Sequence, residues 1–329
     1  MGGVHPQENK LSRAKAIEVL PLPEVVQIPL GQHIGAPATA KVAKGDKVLT
    51  GQLIAEATGF MSANIHSPIS GTVQSVDMVE NGQGLRQMMI TIKREGDEWV
   101  ETIDRSTELK RECTLEPAAI IAKIKDAGIV GMGGATFPTH VKLSIPPGKK
   151  AECLIINGVE CEPYLTSDYR MMMEEPGRII DGLKVILSLF TRAKGIIAIE
   201  DNKPDAIKKI EELVKNEPNI QVCPLKTKYP QGGERALIYA VTKKKVNSSM
   251  LPADVGCVVS NIDTTVAISM AVSDSIPLMR RIVTVTGDAI KEPCNYNVKI
   301  GMSYREVLEE AGGLAKPVEK IVSCGPMMG

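Results

Sequence analysis

Between residues 116 and 272 the chain switches repeatedly between short apolar runs and stretches with helical spacing. Nothing else in the sequence narrows the fold as much. The runs "ECLIING", "GIIAIE", "IQVCPL" and "GCVVSN" have strand length. Between and after them lie "RIIDGLKVILSLFTRA", "PDAIKKIEELVKN", "GERALIYAVT" and "TTVAISMAV", which read as helices. Ahead of the first run, Pro117 suits the first position of a helix, and Ile120, Ile121 and Ile124 follow at helical spacing. Strands alternating with helices in this way predict an α/β domain with a mainly parallel sheet and helices on both faces. Its expected extent is residues 101–276.

The flanks have a different texture. The first thirty residues are polar and then proline-rich (Pro21, Pro23, Pro29), as in an extended arm. From about Gly31 to Lys93, glycine and proline cut the chain into short β segments. "AKVAKGDKVLTGQLIAE" turns at Gly45-Asp46, and "HSPISGTVQSV" turns again around Gly71. This order of turns resembles the barrel-sandwich of biotinyl and lipoyl domains. Those domains carry a modified lysine at a hairpin tip, where this chain has Met61-Ser62-Ala63-Asn64. Without the lysine there is no swinging arm, so residues 1–100 read as an arm plus a scaffold module. After Pro277, strand, turn, strand and a short helix ended by Gly312-Gly313 predict a small α+β module over residues 277–329. Its abrupt apolar end suggests that a longer chain has been cut short.

Composition removes several function classes. Basic and acidic residues balance at 39 each, so no net field calls for nucleic acid. The seven cysteines are scattered without a C-x-x-C, a pattern that suits reduced thiols and leaves no ferredoxin-type cluster site in this chain. The four histidines show no metal-ligand spacing. The most apolar stretch, "VILSLF", is far too short to cross a bilayer, so membrane association is expected only through partners.

Four stretches could carry chemistry. Residues 128–134 hold four glycines, followed by Phe137, Pro138 and Lys142. Backbone freed of side chains can cradle an anion or let a flat ring lie on it, and it can equally be a plain turn. The loop is neither a dinucleotide fingerprint, since Thr136 replaces the third glycine, nor a P-loop, since no Gly-Lys-Ser/Thr follows. Next, Asn157-Gly158 ends an apolar run, and Glu160 and Glu162 flank Cys161 so that in extended chain both carboxylates point the same way. They could hold a ribose diol or simply face water. Neighbouring carboxylates make Cys161 a buried small residue rather than a nucleophile. Third, Gly232-Gly233 immediately precedes a helix, with Glu234 in its first turn. Fourth, Ser260-Asn261 ends a run ahead of Thr264 and Thr265, as a helix cap does.

In this order, "GMGGATFPTHVKL", "INGVECEP", "GGERAL" and "SNIDT" resemble the flavin- and NADH-binding C subunit of the Rnf electron-transport complex. The N-terminal "GGVHPQENK" and "PLGQHIGAPA" are similar to that subunit in particular, and the flavin subunit of respiratory complex I is a more distant likeness. The resemblance implies three parts: a barrel-sandwich hybrid module, a Rossmann-like FMN/NADH domain and a β-grasp module of the SLBB type. It also implies residue roles. Gly131, Gly133 and Gly134 would lie against FMN, Phe137 would stack near NADH, and Lys142 would meet the flavin phosphate or its surroundings. Asn157 would hydrogen-bond the flavin edge, with Glu160 near the flavin and Glu162 near NADH. Gly232, Gly233 and Glu234 would form the opposite wall, and Asn261 would reach the phosphate end. No residue acts as a catalytic acid or base, because hydride passes between NADH and flavin.

Against the complex I pattern, Met132 replaces arginine, Thr136 replaces glycine and Val159 replaces aspartate. The family continues into a domain with two four-iron (4Fe-4S) clusters, for which this chain has no ligands. Expected partners are the other Rnf subunits, including the ferredoxin-like B subunit, at the cytoplasmic face of the membrane. Two alternatives share the motifs: a cobalamin-reductase-type flavoprotein, and a non-catalytic scaffold like the A subunit of sodium-pumping quinone reductase.

Overall fold

The computed structural model of the protein describes residues 2–82, 84–106, 108–109 and 113–329. Its N-terminal part holds β1 (Glu18–Val19), β2 (Val25–Pro29), β3 (Thr39–Ala40), β4 (Lys47–Val48), β5 (Leu53–Glu56), β6 (Ile65–His66), β7 (Gly71–Glu80) and β8 (Arg86–Arg94). An antiparallel sheet ordered β2-β8-β7-β4 and a smaller one ordered β3-β5-β6 share a core of Val26, Ile28, Ile54, Ile69, Ile90 and Ile92. Alternation along β2 turns Val26 and Ile28 inward and leaves Val25 and Gln27 outward. The hairpin tip at Met61–Asn64 is not free. Ser62 and Ala63 are buried, and the Asn64 side-chain amide donates to the Asp126 carbonyl at 3.2 Å. The position that carries the modified lysine in lipoyl domains is here a docking contact with the next domain.

That domain contains α1 (Pro117–Asp126), α2 (Thr139–Leu143), β9 (Cys153–Gly158), α3 (Ser167–Glu174), α4 (Pro176–Ser188), β10 (Lys194–Glu200), α5 (Pro204–Val214), β11 (Ile220–Leu225), α6 (Glu234–Thr242), β12 (Cys257–Asn261) and α7 (Ile262–Ser273). The sheet order is β11-β10-β9-β12, with every neighbour parallel. One face packs on α1, α3, α4, α5 and α7 through Leu154, Ile156, Ile197, Ile199 and Val258. The other carries Ile155, Ala198 and Val259 against Leu237 and Ile238 of α6. Both faces are therefore apolar, which explains why these strands read as continuous apolar runs rather than alternating ones. Two helices did not stand out in the sequence. α2 has only five residues, and α3 lies in a stretch whose polar start reads as loop.

The last part comprises β13 (Arg280–Val285), β14 (Cys294–Lys299) and α8 (Tyr304–Glu310), the helix closed by a Ser303/Glu306 capping box. Its sheet is completed from the other end of the chain: β1 lies parallel to β14, pairing Glu18 with Tyr296 and Val19 with Asn297. Residues 2–20 thus leave the N-terminal sheets and run across the α/β domain before joining the last module. Among the described residues no helix is long and apolar enough to cross a membrane, and all seven cysteines are free thiols.

Candidate functional site

In a parallel sheet, side chains at the carboxyl ends of the strands face a crevice wherever the strand order reverses direction. Here the chain proceeds outward from β9 to β10 to β11, then returns to place β12 on the other side of β9. The reversal falls between β9 and β12, whose last paired residues are Asn157 and Asn261, directly in register. Two asparagines from different motifs thereby meet at the switch point.

Asn261 caps α7, its side-chain oxygen accepting from Asp263 N at 2.9 Å and Thr264 N at 3.2 Å. Its amide donates to Asp168 at 2.7 Å. The glycine loop lies on this cap: a Cβ at Gly133 would meet the Asn261 Cβ at 3.0 Å. The neck of the loop is closed by Gly131 N donating to Phe137 O at 2.8 Å. Met132 is pinned from both sides, its amide donating to Thr264 Oγ1 at 2.8 Å and its carbonyl accepting from Arg281 at 2.5 Å, with its side chain in the core. The tip, Gly133 to Ala135, is left exposed. Gly134 has φ +139°, open to glycine alone at low cost, and Thr136 sits at φ +47°, also left-handed. A glycine at position 136, as in the complex I pattern, relieves that strain.

The opposite wall is the loop after β11. Asn157 donates to Gly232 O at 2.9 Å, and Gly232 N reaches Cys161 Sγ at 3.4 Å. Gly233 caps α6, and Glu234 in its first turn pairs with Lys142 at 3.1 Å. The Lys142 ammonium also donates to the Val259 carbonyl at 3.1 Å, so it ties the helix after the glycine loop to the wall across from it. Both partners are more than a third exposed, and such a pair stabilises by at most about 1 kcal/mol.

The two carboxylates after β9 do not point the same way, contrary to the extended-chain expectation. Glu160 has φ +51°, which breaks the alternation. Its carboxylate turns to the N-terminus of α3 and accepts from Asp168 N at 2.7 Å and Tyr169 N at 3.3 Å. Burial pushes its pKa up, while Lys10, Lys203 and the helix amides pull it back. Glu162 faces elsewhere. One of its oxygens accepts from Met327 N at 2.8 Å, and the other is buried without a hydrogen-bond partner. Burial pushes the Cys161 thiol up, in keeping with a small packed residue rather than a nucleophile. Phe137 is half-buried, and its backbone carbonyl closes the loop neck.

Asp168, Arg281 and Lys10 carry no sequence signal that marks them as part of this site. Burial raises the Asp168 pKa well above the usual carboxylate range, and the Glu160 and Asp263 charges raise it further. Arg281 lies in β13 of the last module, so its approach to Met132 spans domains. Lys10 follows the "GGVHPQEN" stretch of the arm, about 150 residues ahead of the loop it meets.

Comparison with known proteins accounts for nearly the whole chain. Residues 1–97 match the family described as the RnfC barrel sandwich hybrid domain, 124–270 the Nuo51 FMN-binding domain and 282–329 the SLBB domain. The full chain is 47% identical to the C subunit of the proton-translocating ferredoxin:NAD(+) oxidoreductase complex of Clostridium ljungdahlii, spanning 71% of that protein. It is 44% identical to the Na(+)-translocating counterpart of Acetobacterium woodii, spanning 74% of it. The chain belongs to the RnfC family.

A third member of that family, the C subunit of the ion-translocating oxidoreductase complex of Rhodobacter capsulatus, is 41% identical, and the chain spans 63% of its length. Among solved structures, an NAD+-reducing [NiFe]-hydrogenase shares the fold at TM-score 0.53 and 22% identity, over 60% of this chain and 39% of that one. Like other RnfC proteins, the chain is one part of a multi-subunit oxidoreductase complex.

Proposed function

We propose that this subunit binds FMN and NADH in the β9/β12 crevice and is the entry point for NADH electrons into an Rnf complex. The observation that carries the reading is the exposed glycine tip lying on the Asn261 cap at the switch point of the sheet. Two features fit the cofactors. The Gly133–Gly134 tip offers bare backbone against which a flat ring or a phosphate can rest, and a side chain there would fill the space. Glu162 offers a buried oxygen without a partner, an acceptor suited to a ribose hydroxyl.

FMN, when bound, supplies the two-electron acceptor for hydride from NADH. The protein supplies alignment and charge. Asn157, held by Gly232, presents its amide edge at the end of β9, and Asn261 with the first turn of α7 lies at the anion end. The Lys142–Glu234 pair spans the two walls, and Lys142 can exchange Glu234 for a phosphate without moving domains. Phe137 is the aromatic of the loop and stacks at the nicotinamide or adenine. Electrons leave singly to iron–sulfur groups held outside residues 1–329, and the ferredoxin-like B subunit is among the partners at the cytoplasmic face of the membrane.

The test is a flavin titration of the purified chain followed by anaerobic NADH. The expected result is one FMN per chain, bleached by NADH, with FMN affinity falling at least tenfold in Gly133→Val while the fold is kept. FMN that binds and stays oxidised sinks the dehydrogenase reading. A protein that takes up no FMN supports a scaffold instead.

A further inference from the structure

The motif "GGVHPQENK" belongs to the arm, and the arm touches both walls of the crevice. Val4 forms an antiparallel bridge with Tyr229, N to O at 2.8 and 2.9 Å, just ahead of Gly232-Gly233. Six residues later, Lys10 reaches under the loop after β9. Its ammonium donates to Glu160 O at 3.0 Å, Glu162 O at 2.8 Å and Leu165 O at 2.6 Å. Those three bonds use all its protons on carbonyls of one loop. Asn9 holds the same loop through Tyr164 Oη at 3.1 Å, and Ser12 reaches Thr166 Oγ1 at 2.6 Å. From the other side, Lys203 donates to Val159 O at 2.7 Å. Five carbonyls or hydroxyls between residues 159 and 165 are thereby fixed by residues distant in sequence. The glycine loop, by contrast, is held by α7 and β13.

We propose that the arm is part of the nucleotide site. Lys10 is a positioning residue that sets the shape of the 159–165 loop and with it the direction of Glu162. The inference rests on reading the β9/β12 crevice as the NADH cleft. A loop with two acidic side chains and a left-handed residue at Glu160 has little of its own to hold it. A cation contributed from the arm draws its carbonyls inward and turns Glu162 outward to the ligand. Because the arm grips the walls and not the glycine tip, its loss separates NADH recognition from FMN retention.

The experiment compares full-length wild type, Lys10→Met and Arg13→Ala. Arg13 is an arm contact to Asn202 O and Asp205 away from the loop, so it reports arm docking alone. Hydrogen exchange is read first, without cofactors. Amides of residues 159–165 should exchange about tenfold faster in Lys10→Met, with residues 131–137 unchanged and Arg13→Ala like wild type. In NADH oxidation with ferricyanide, KM should rise about tenfold in Lys10→Met while kcat and FMN affinity stay within about threefold. If Lys10→Met folds poorly, Asn9→Ala should show the same changes at smaller size. Unchanged exchange in the loop overturns the proposal, as does an Arg13→Ala variant with the same raised KM. A wild type that takes up no FMN overturns the proposed function instead, while the exchange comparison still decides the role of Lys10.

Discussion

Glu160 and Glu162 are two positions apart and carry the same side chain, yet the structure gives them different work. Glu160 satisfies two amides of α3 and lies between Lys10 and Lys203. Glu160→Ala leaves those amides and cations uncompensated and should cost roughly 2–4 kcal/mol in denaturant unfolding. Glu162 keeps a buried oxygen unpaired, so it contributes little to stability. Glu162→Gln should change unfolding by less than about 1 kcal/mol and yet raise KM for NADH several-fold. Equal losses of stability in both variants would contradict this division. The local sequence does not separate the two residues, because the difference lies in a left-handed backbone turn and in which helix end is near.

Between elements, α4 and α7 cross at very close range. A Cβ added at Gly182 would overlap the Thr265 carbonyl oxygen, so the two helices meet backbone to backbone. Gly182→Ala has to force them apart and should cost roughly 2–4 kcal/mol, lowering the melting midpoint of the α/β domain. A variant as stable as wild type would show that α7 can shift freely. α7 carries Asn261 and Thr264 at its N-terminus, so the same variant should also weaken FMN binding. The elements themselves were largely readable: the strand and helix runs fall where the apolar pattern put them. The exceptions are α2 and α3. Periodicity fails on pieces that short, and α3 depends on a cap supplied by Glu160 from the preceding loop.

Across the whole molecule, the modules are locked together at the hairpin tip near Asn64 and by the arm strand β1. His66 lies beside that first junction, buried, with Nδ1 unpartnered and its pKa depressed to about 4. Above pH about 6.5 both folded and unfolded forms are neutral, and nothing is lost. Below it the unfolded chain takes up a proton that the folded one refuses until about pH 4, so stability falls as pH drops through that window. The loss attributable to this group is roughly 2–3 kcal/mol. His66→Gln should flatten the pH dependence of the melting midpoint between pH about 4 and about 6.5, and an unchanged slope would exclude His66 as its source.

The sequence by itself determined the class of each module, because period and turn residues report local burial directly. It also determined which strand ends carry polar residues: Asn157, Gly232-Gly233 and Asn261 stand out wherever an apolar run stops. Only the tertiary structure decided that β12 lies beside β9, which brings two of those ends into one crevice. It alone decided that Lys10 and Arg281, far away in the chain, hold the backbone of that crevice. Strand order and long-range cation contacts depend on how separate apolar faces find each other. That information is spread over the whole chain and written at no single position.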